Sequence, residues 1–549
     1  MKMYLSATAL ALTLLAQPAP VLAGASSDFT RCDGLKKPKR KKDGMREGAN
    51  ITASTAYGTL PTFASIISAC DRALSSDKLR PEQRLRRAHL LRARAAAWLE
   101  KGAIEAALSD LDAAEAELAE YRGKFHFDRS MGVSLDLIRA VALSEKGMAE
   151  KGMAEKAISL AQSAAAKRPY AVQVQALAAL VHLINSPTDD PLGPLWSSLE
   201  RLDPDMRSFA KRHRMRRASF EETVALAGEE LPDLPVIPDF VFLIKRTNIE
   251  AMKTAAIEYG NRLELAYAYA ALGMNDKARA SLSVVQEAFA VKKEEDGEKG
   301  GGVSNVFIKN PRQIYQKEFD LFMKLVRARI EVSEGRLQEA ASLLDGQTPR
   351  SNRYTQEFYA AYNASALTSG DSLPALPELA PAVKPQAPSL NRLVRNTLMR
   401  PESADMSIRY KKSRPDVLRT LLSGAFTLGL SLTKPAQKTL GFSSTPNADG
   451  SVSVEYDGET TLGSVVQEMT LLRAAELTRE AGKSHFLITD RSDYTRFWVT
   501  RTYGRETARR LSGYKTKLTI RYFDDGVSQP MAYDAATIMD ELGALYYSD

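Results

Sequence analysis

Small and apolar residues recur at helical spacing over most of this chain. The run Ala95, Trp98, Gly102, Ala107, Leu111, Ala114 sets a small residue, an aromatic and a glycine along one helix and its turn, then small and apolar residues along the next. The same order returns as Ala266, Tyr269, Gly273, Ala278, Leu282. Around Gly335 the matching places are Ala328, Ala340 and Leu344, and after Gly152 they are Ala157, Ala161, Ala164 and Pro169. Two antiparallel helices need small residues at such places to pack closely. One pair cannot bury its apolar face alone, so the pattern predicts a stacked array of helical hairpins.

The array is irregular. Residues 146–150 and 151–155 are the same five residues, Lys-Gly-Met-Ala-Glu, in tandem. Either the duplication lengthens a turn, which tolerates insertion because loop closure grows slowly in cost, or the helix runs on through Glu150. Ala171 to Ile184 reads as a helix, Pro187 to Pro194 as a break, and Leu195 to Leu202 before Asp203-Pro204 as the end of a divergent repeat. Lys211 to Arg217 is densely basic, Leu231 to Pro238 carries three prolines and marks a joint, and Lys292 to Gly302 reads as a flexible loop. No Lys-Ser or Lys-Thr follows those glycines and no strand precedes them, so they are not a phosphate cradle.

After Gly370 the prolines at 374, 377, 381, 385 and 388 predict a semi-stiff linker. Beyond it the period changes. Ser451 to Tyr456 alternates as a strand, Thr461 to Ala481 is helical, and His485 to Thr489 is a short apolar strand. Arg496 to Tyr503 and Lys515 to Phe523 alternate as a hairpin, and Asp534 to Tyr546 closes the chain as a helix. The expected fold is mainly α: a helical-hairpin solenoid followed by a smaller α+β domain. Its expected divisions are a signal at 1–23, a basic segment at 24–50, helical repeats at 51–235 and 236–365, a linker at 366–400, and the α+β domain at 401–549.

The hairpin register resembles the tetratricopeptide repeat family, whose motif is a degenerate set of small and large residues over about 34 positions with a terminal proline. The resemblance implies a concave groove lined by the first helix of each pair, and a protein or peptide as its occupant. Carried across, the register gives His89, Arg92 and Ala96, then Leu137 and Val141, then Leu263 and Tyr267, then Phe322, Leu325 and Arg329. Tyrosine and arginine often supply most of the energy on such surfaces; ordinary contacts between repeats are the competing account of each residue.

The stretch Leu472-Arg473-Ala474-Ala475-Glu476-Leu477-Thr478, with Gly482, Phe486, Gly441-Phe442-Ser443 and Tyr533-Asp534-Ala535, resembles a family of small bacterial envelope lipoproteins of unassigned function. This chain lacks the lipidated cysteine. On a helical wheel Leu462, Val465, Val466, Met469 and Leu472 make one face, with Arg473 and Glu476 on or beside it. Three residues apart, these charges can meet. A structural pair is one account of them, and a ligand or catalytic role is the other.

Length and charge narrow the picture. At roughly 100–200 residues per domain, 549 residues predict two to four domains. Lys2, the apolar run Leu5 to Ala16 and Val21-Leu22-Ala23 before Gly24 read as a secretory signal. That run falls short of the ~20 residues a spanning helix needs, so a periplasmic protein is expected. The net charge of +8 is partly local, in Lys36, Lys37, Lys39, Arg40, Lys41 and Lys42. That cluster is either a solvated segment or a contact for anionic lipid or cell-wall polymer; nucleic acid is not expected in an exported space.

Cys32 and Cys70 are the only cysteines, and in an oxidising compartment a pair is more often bridged than free. The five histidines are scattered without metal-ligand spacing, so no metal or cofactor is expected. No nucleophile, base and orienting group recur at useful spacing; Glu476 and Asp490 are single carboxylates. The expectation is therefore a non-catalytic interaction scaffold or adaptor of the bacterial envelope. The alternative is envelope-polymer or small-ligand binding by the C-terminal module, with the array as its platform.

Overall fold

The computed structural model describes residues 25–39, 43–45, 50–52, 62–147, 152–185, 193–227, 234, 240–242, 246–290, 307–309, 311–369, 374–380, 390, 394–402, 410, 441–458, 462–502, 505–526 and 529–547. The stretch read as an export signal, Arg40, Lys41 and Lys42, the 292–302 loop and most of the 231–238 joint lie outside the described residues. The fold is mainly helical with an α+β portion at its C-terminal end. It divides into two compact units, Met1–Pro187 with Ser389–Asp549, and Thr188–Pro388.

The first unit opens with α1 (Ala25–Asp33), β1 (Asn50–Thr52) and α2 (Phe63–Leu74). A Cys32–Cys70 disulfide ties α1 to α2, and the Thr62 hydroxyl caps α2 by accepting from the Ser65 amide at 3.3 Å. Two helical hairpins and a fifth helix follow: α3 (Arg84–Glu100) with α4 (Ile104–Leu118), α5 (Val133–Gly147) with α6 (Met153–Lys167), then α7 (Val172–Asn185). Ala95, Ala107, Leu111 and Ala114 are wholly buried where α3 meets α4, as are Ala140, Ala157, Ala161 and Ala164 in the next pair. α5 ends at Gly147 and α6 starts at Met153, and residues 148–151 of the duplication lie outside the described residues.

The second unit begins with α8 (Gly193–Leu202), α9 (Pro204–Arg217) and α10 (Phe220–Ala227). Asp203 caps α9 by accepting from the Asp205 amide at 3.1 Å, with Pro204 in the first turn. A short ribbon of β2 (Phe240–Phe242) with β3 (Phe307–Lys309) accompanies α11 (Arg246–Ala271), α12 (Asn275–Ala290), α13 (Pro311–Ser333), α14 (Leu337–Leu344) and α15 (Arg353–Ser369). Tyr259, Leu263, Ala266, Ala278, Val326, Ala328 and Phe358 form its core. Gly102, Gly152, Gly273 and Gly335, the four glycines on which the hairpins align, all adopt positive φ, between 72° and 91°. This left-handed conformation closes a helix before a tight turn and is unfavourable for residues with a Cβ.

One expectation fails here. Residues 374–380 are not a linker but lie against α15. The Tyr362 hydroxyl donates to the Pro374 carbonyl at 3.0 Å, Tyr359 donates to Pro377, and Ala380 bridges Pro349 and Ser351 through backbone bonds of 3.0 and 2.8 Å. Prolines cannot continue a helix but leave their carbonyls available, and the tyrosines use them.

The chain, back in the first unit from Ser389, goes on to β4 (Gly441–Pro446), β5 (Val452–Gly458), α16 (Gly463–Glu480), β6 (His485–Thr502), β7 (Arg505–Phe523), β8 (Tyr533–Asp534) and α17 (Ala535–Tyr546). The sheet order is β4-β5-β7-β6-β8, with β1 also on β7. Two strand expectations change. β4 is an added strand, and the two strands expected within 485–503 are a single one that continues through the polar stretch Thr489 to Thr495, with one irregularity between Ile488 and Asp490.

α16 is buried on nearly every face, from Ser464 to Thr478. A helix in that state needs cover on both sides. The sheet and α17 supply one, and α7 contributes to the other. The α+β portion therefore shares a unit with the first hairpins, a division that differs from the boundaries read at 235 and 401.

Candidate functional site

The expected groove of the first hairpins is filled by the chain itself. His89, Arg92, Ala96, Leu137 and Val141 are all buried. Across this face runs the segment 394–402. Arg92 donates through Nη2 to the Met399 carbonyl at 2.9 Å and through Nη1 to the Met131 carbonyl at 3.3 Å. Arg395 pairs with Glu100 at 2.7 Å, and the Met399 and Glu402 amides donate to the hydroxyls of Ser134 and Ser130 at 3.4 and 3.3 Å. Burial pulls the Arg92 guanidinium down to about 9, with Asp33 opposing. Burial, and then the charge of Arg92, hold the His89 imidazole well below its ordinary value, so it is neutral and accepts from Arg92 through Nδ1 at 2.7 Å.

Beside this segment lies a cluster of charges within the unit. Glu468 of α16 accepts from Arg168 at 3.1 Å (Nε) and 3.0 Å (Nη2), from Arg129 at 2.5 Å, and from the Tyr546 hydroxyl of α17. Arg129 also reaches Glu402 at 3.1 Å, and Arg168 binds both Glu402 and the Arg129 carbonyl, the latter at 2.9 Å. Arg168 is 0% and Glu468 1% exposed. Two guanidiniums meet two carboxylates, so the cluster is neutral overall, which is the condition for burying ions at all.

Burial raises the Glu468 carboxyl, but Arg168 and then Arg129 more than offset it and its pKa lies below the ordinary value. Burial, then the charge of Glu468, push the Tyr546 hydroxyl well above its own. None of these residues was singled out in the sequence, although one signal was there. Glu468 stands three residues after Val465 and four before Leu472, a carboxylate on the apolar face of its helix.

Arg473 and Glu476 do meet, at 2.9 Å. Glu476 Oε1 also accepts from the hydroxyls of Tyr410 (2.6 Å) and Tyr547 (2.8 Å), and Arg473 reaches Glu480 at 2.7 Å. Both oxygens of this buried carboxylate thus serve the packing of the unit. Asp490 is exposed on β6. Of the basic cluster, Lys37 and Lys39 are exposed and Lys36 half-buried, and the Lys39 carbonyl accepts from Gln83 at 2.6 Å.

In the second unit the expected groove is covered as well. The Tyr267 hydroxyl donates to Glu357 at 2.5 Å and lies 2.7 Å from the Tyr354 carbonyl. Arg329 donates through Nε to both Glu357 oxygens at 3.1 Å and through Nη2 to the Ala271 carbonyl at 3.2 Å. The rings of Phe322 and Tyr354 stand 5.1 Å apart. α15 occupies this face, and burial followed by the charge of Glu357 raises the Tyr267 hydroxyl well above its usual range.

What stays open is the neighbouring face of α13. Asp320, Leu321, Met323, Lys324 and Arg327, with Gln286 of α12 and Gln347 and Thr348 after α14, line a cavity of about 650 Å³. The spacing 320, 324, 327 sets these side chains in one row on the helix. Among the described residues, no group of three or more His, Cys, Asp or Glu side chains could hold a metal ion, and no helix is long and apolar enough to cross a membrane. No protein-family model, curated protein or solved structure matches this chain.

Proposed function

We propose that this chain is an exported, non-catalytic interaction scaffold of the bacterial envelope, built from tetratricopeptide-like hairpins, and that its recognition surface is the cleft on α12 and α13. The observation that carries this reading is the hairpin geometry: four turn glycines at matched places share positive φ, with buried small residues on both sides. Stacked hairpins of this kind expose long helix faces suited to a peptide. The face first expected to bind is used internally, which leaves the row Asp320, Lys324, Arg327 and the amides Gln286 and Gln347. Two cations one turn apart beside neutral amides fit a polar peptide segment that carries a carboxylate.

The test is quantitative capture by the tagged, exported protein from envelope extracts, with wild type compared against the double variant Lys324→Glu, Arg327→Glu. A partner enriched by wild type and reduced about tenfold by the variant supports the reading. Equal enrichment by both, or none by either, overturns it. N-terminal sequencing of the exported protein checks the leader, with Gly24 expected as the first residue.

A further inference from the structure

The hairpin of β6 and β7 outruns its sheet. β5 pairs with β7 only from Tyr514 to Ile520, and β8 with β6 only at His485 and Phe486. β6 and β7 continue together to Thr502 and Arg505, and β1 covers the far edge of β7 at Ala508 to Arg510. Among the described residues no strand pairs with the other edge of β6 beyond Phe486.

That strand also exposes large apolar side chains. Of the ten exposed large hydrophobic side chains among the described residues, four (Tyr494, Phe497, Trp498 and Val499) fall within six positions of β6, and Trp498 is 58% exposed. Open edges are commonly blunted by charged side chains, proline or a bulge; β6 has no lysine or proline between Leu487 and Thr502, and its charges, Asp490, Arg491, Asp493, Arg496 and Arg501, are of both signs, so they can complement those of a second copy. The register shifts at Arg496/Phe497 and Thr500/Arg501 leave Ser512 and Thr507 as the extra residues, both on β7. β6 itself is regular from Asp490 to Thr502.

We propose that β6 is the docking edge for β6 of a second copy of this chain, paired antiparallel about a two-fold axis through Phe497. An axis perpendicular to the sheet keeps each side chain on its own face, so residues equally far on either side of the axis meet. Centred on Phe497, the pairing sets Trp498 against Arg496 of the copy, Val499 against Thr495, Thr500 against Tyr494, and Arg501 against Asp493, each contact occurring twice. Charge selects this register. Centring on Arg496 would set Arg496 against itself and Arg501 against Arg491, and centring on Trp498 leaves Arg501 opposite Thr495 with no ion pair. Arg501 is exposed and has no carboxylate partner among the described residues, and the Asp493 side chain, though bonded to Arg491 and Thr516, keeps 29% of its surface open.

This inference does not depend on the cleft, and its readout is the oligomeric state of the full chain. Sedimentation velocity and light scattering are expected to show a concentration-dependent dimer. Trp498→Glu and Arg501→Glu are each expected to weaken it about tenfold or more, with circular dichroism unchanged because both side chains are exposed. Directly opposed residues lie within disulfide reach. Phe497→Cys should therefore cross-link to itself on oxidation, whereas Val499→Cys and Thr495→Cys should cross-link only when mixed with each other. A monomer up to about 100 μM, a dimer indifferent to both Glu variants, or cross-linking of Val499→Cys to itself as readily as to Thr495→Cys would overturn the proposal. So would a monomer that instead takes up a foreign strand on this edge.

Discussion

Replacing Glu468 by Gln removes one charge from the buried cluster and leaves Arg129 and Arg168 facing Glu402 alone. Glu468 takes two bonds from Arg168, at 3.1 and 3.0 Å, one from Arg129 at 2.5 Å and one from Tyr546. Breaking one member of a buried ionic group costs about 3–5 kcal/mol, because the partners stay desolvated without compensation. Against a typical stability of roughly 5–15 kcal/mol, that is a large share, and the melting temperature should fall by roughly 10 °C.

Amide hydrogen exchange read by mass spectrometry locates the effect. Protection should fall together in α5, α6, α7 and α16, since one cluster joins them, and should hold in α11 to α14. The double variant Arg168→Met, Glu402→Met keeps the remaining Arg129–Glu468 pair neutral and should cost less than the sum of its two single variants. A Glu468→Gln loss below about 1 kcal/mol, or protection lost in α16 alone, would refute the assignment of this cluster as the joint of the unit.

Three further expectations follow from the same contacts. With a sequence separation of 38 residues between Cys32 and Cys70, chain-entropy arguments give the disulfide about 4 kcal/mol, so the double serine variant should shift the urea midpoint downward; an unchanged midpoint contradicts this. Asp33 is wholly buried, and burial, only partly offset by Arg86, lifts its carboxyl from 3.8 to about 6. Its stabilising contribution is therefore complete below pH ~4 and lost as the pH rises through ~6, and Asp33→Asn should flatten that part of the stability–pH curve. Removing one copy of the duplicated Lys-Gly-Met-Ala-Glu should leave the melting temperature within about 2 °C if the duplication lengthens a turn; a large fall would place it inside a helix.

The local features were legible because they depend on neighbours in sequence. Gly102, Gly152, Gly273 and Gly335 mark turns whichever fold surrounds them, and Arg473 and Glu476 meet because helix geometry brings positions three apart together. The groove was legible only in part. The register identifies the faces bearing Arg92 and Arg329, but the groups that cover them come from other elements, the Met399 carbonyl 307 residues on for the first and Glu357 28 residues on for the second. No local pattern encodes such partners. β6 reads as two strands for a related reason: its middle, Thr489 to Thr495, is polar and without alternation, so the pattern that betrays a half-buried strand is interrupted there.

The α+β portion is completed by the first hairpins, whose expected groove is filled by the segment 394–402. The direct test is amide exchange of α16 in two proteins: residues 401–549 alone, and residues 24–187 joined through a flexible linker to 389–549. Slow exchange of α16 is expected in the joined protein and rapid exchange in the isolated fragment, where Glu468 has lost Arg129 and Arg168. Equal protection of α16 in both would contradict it.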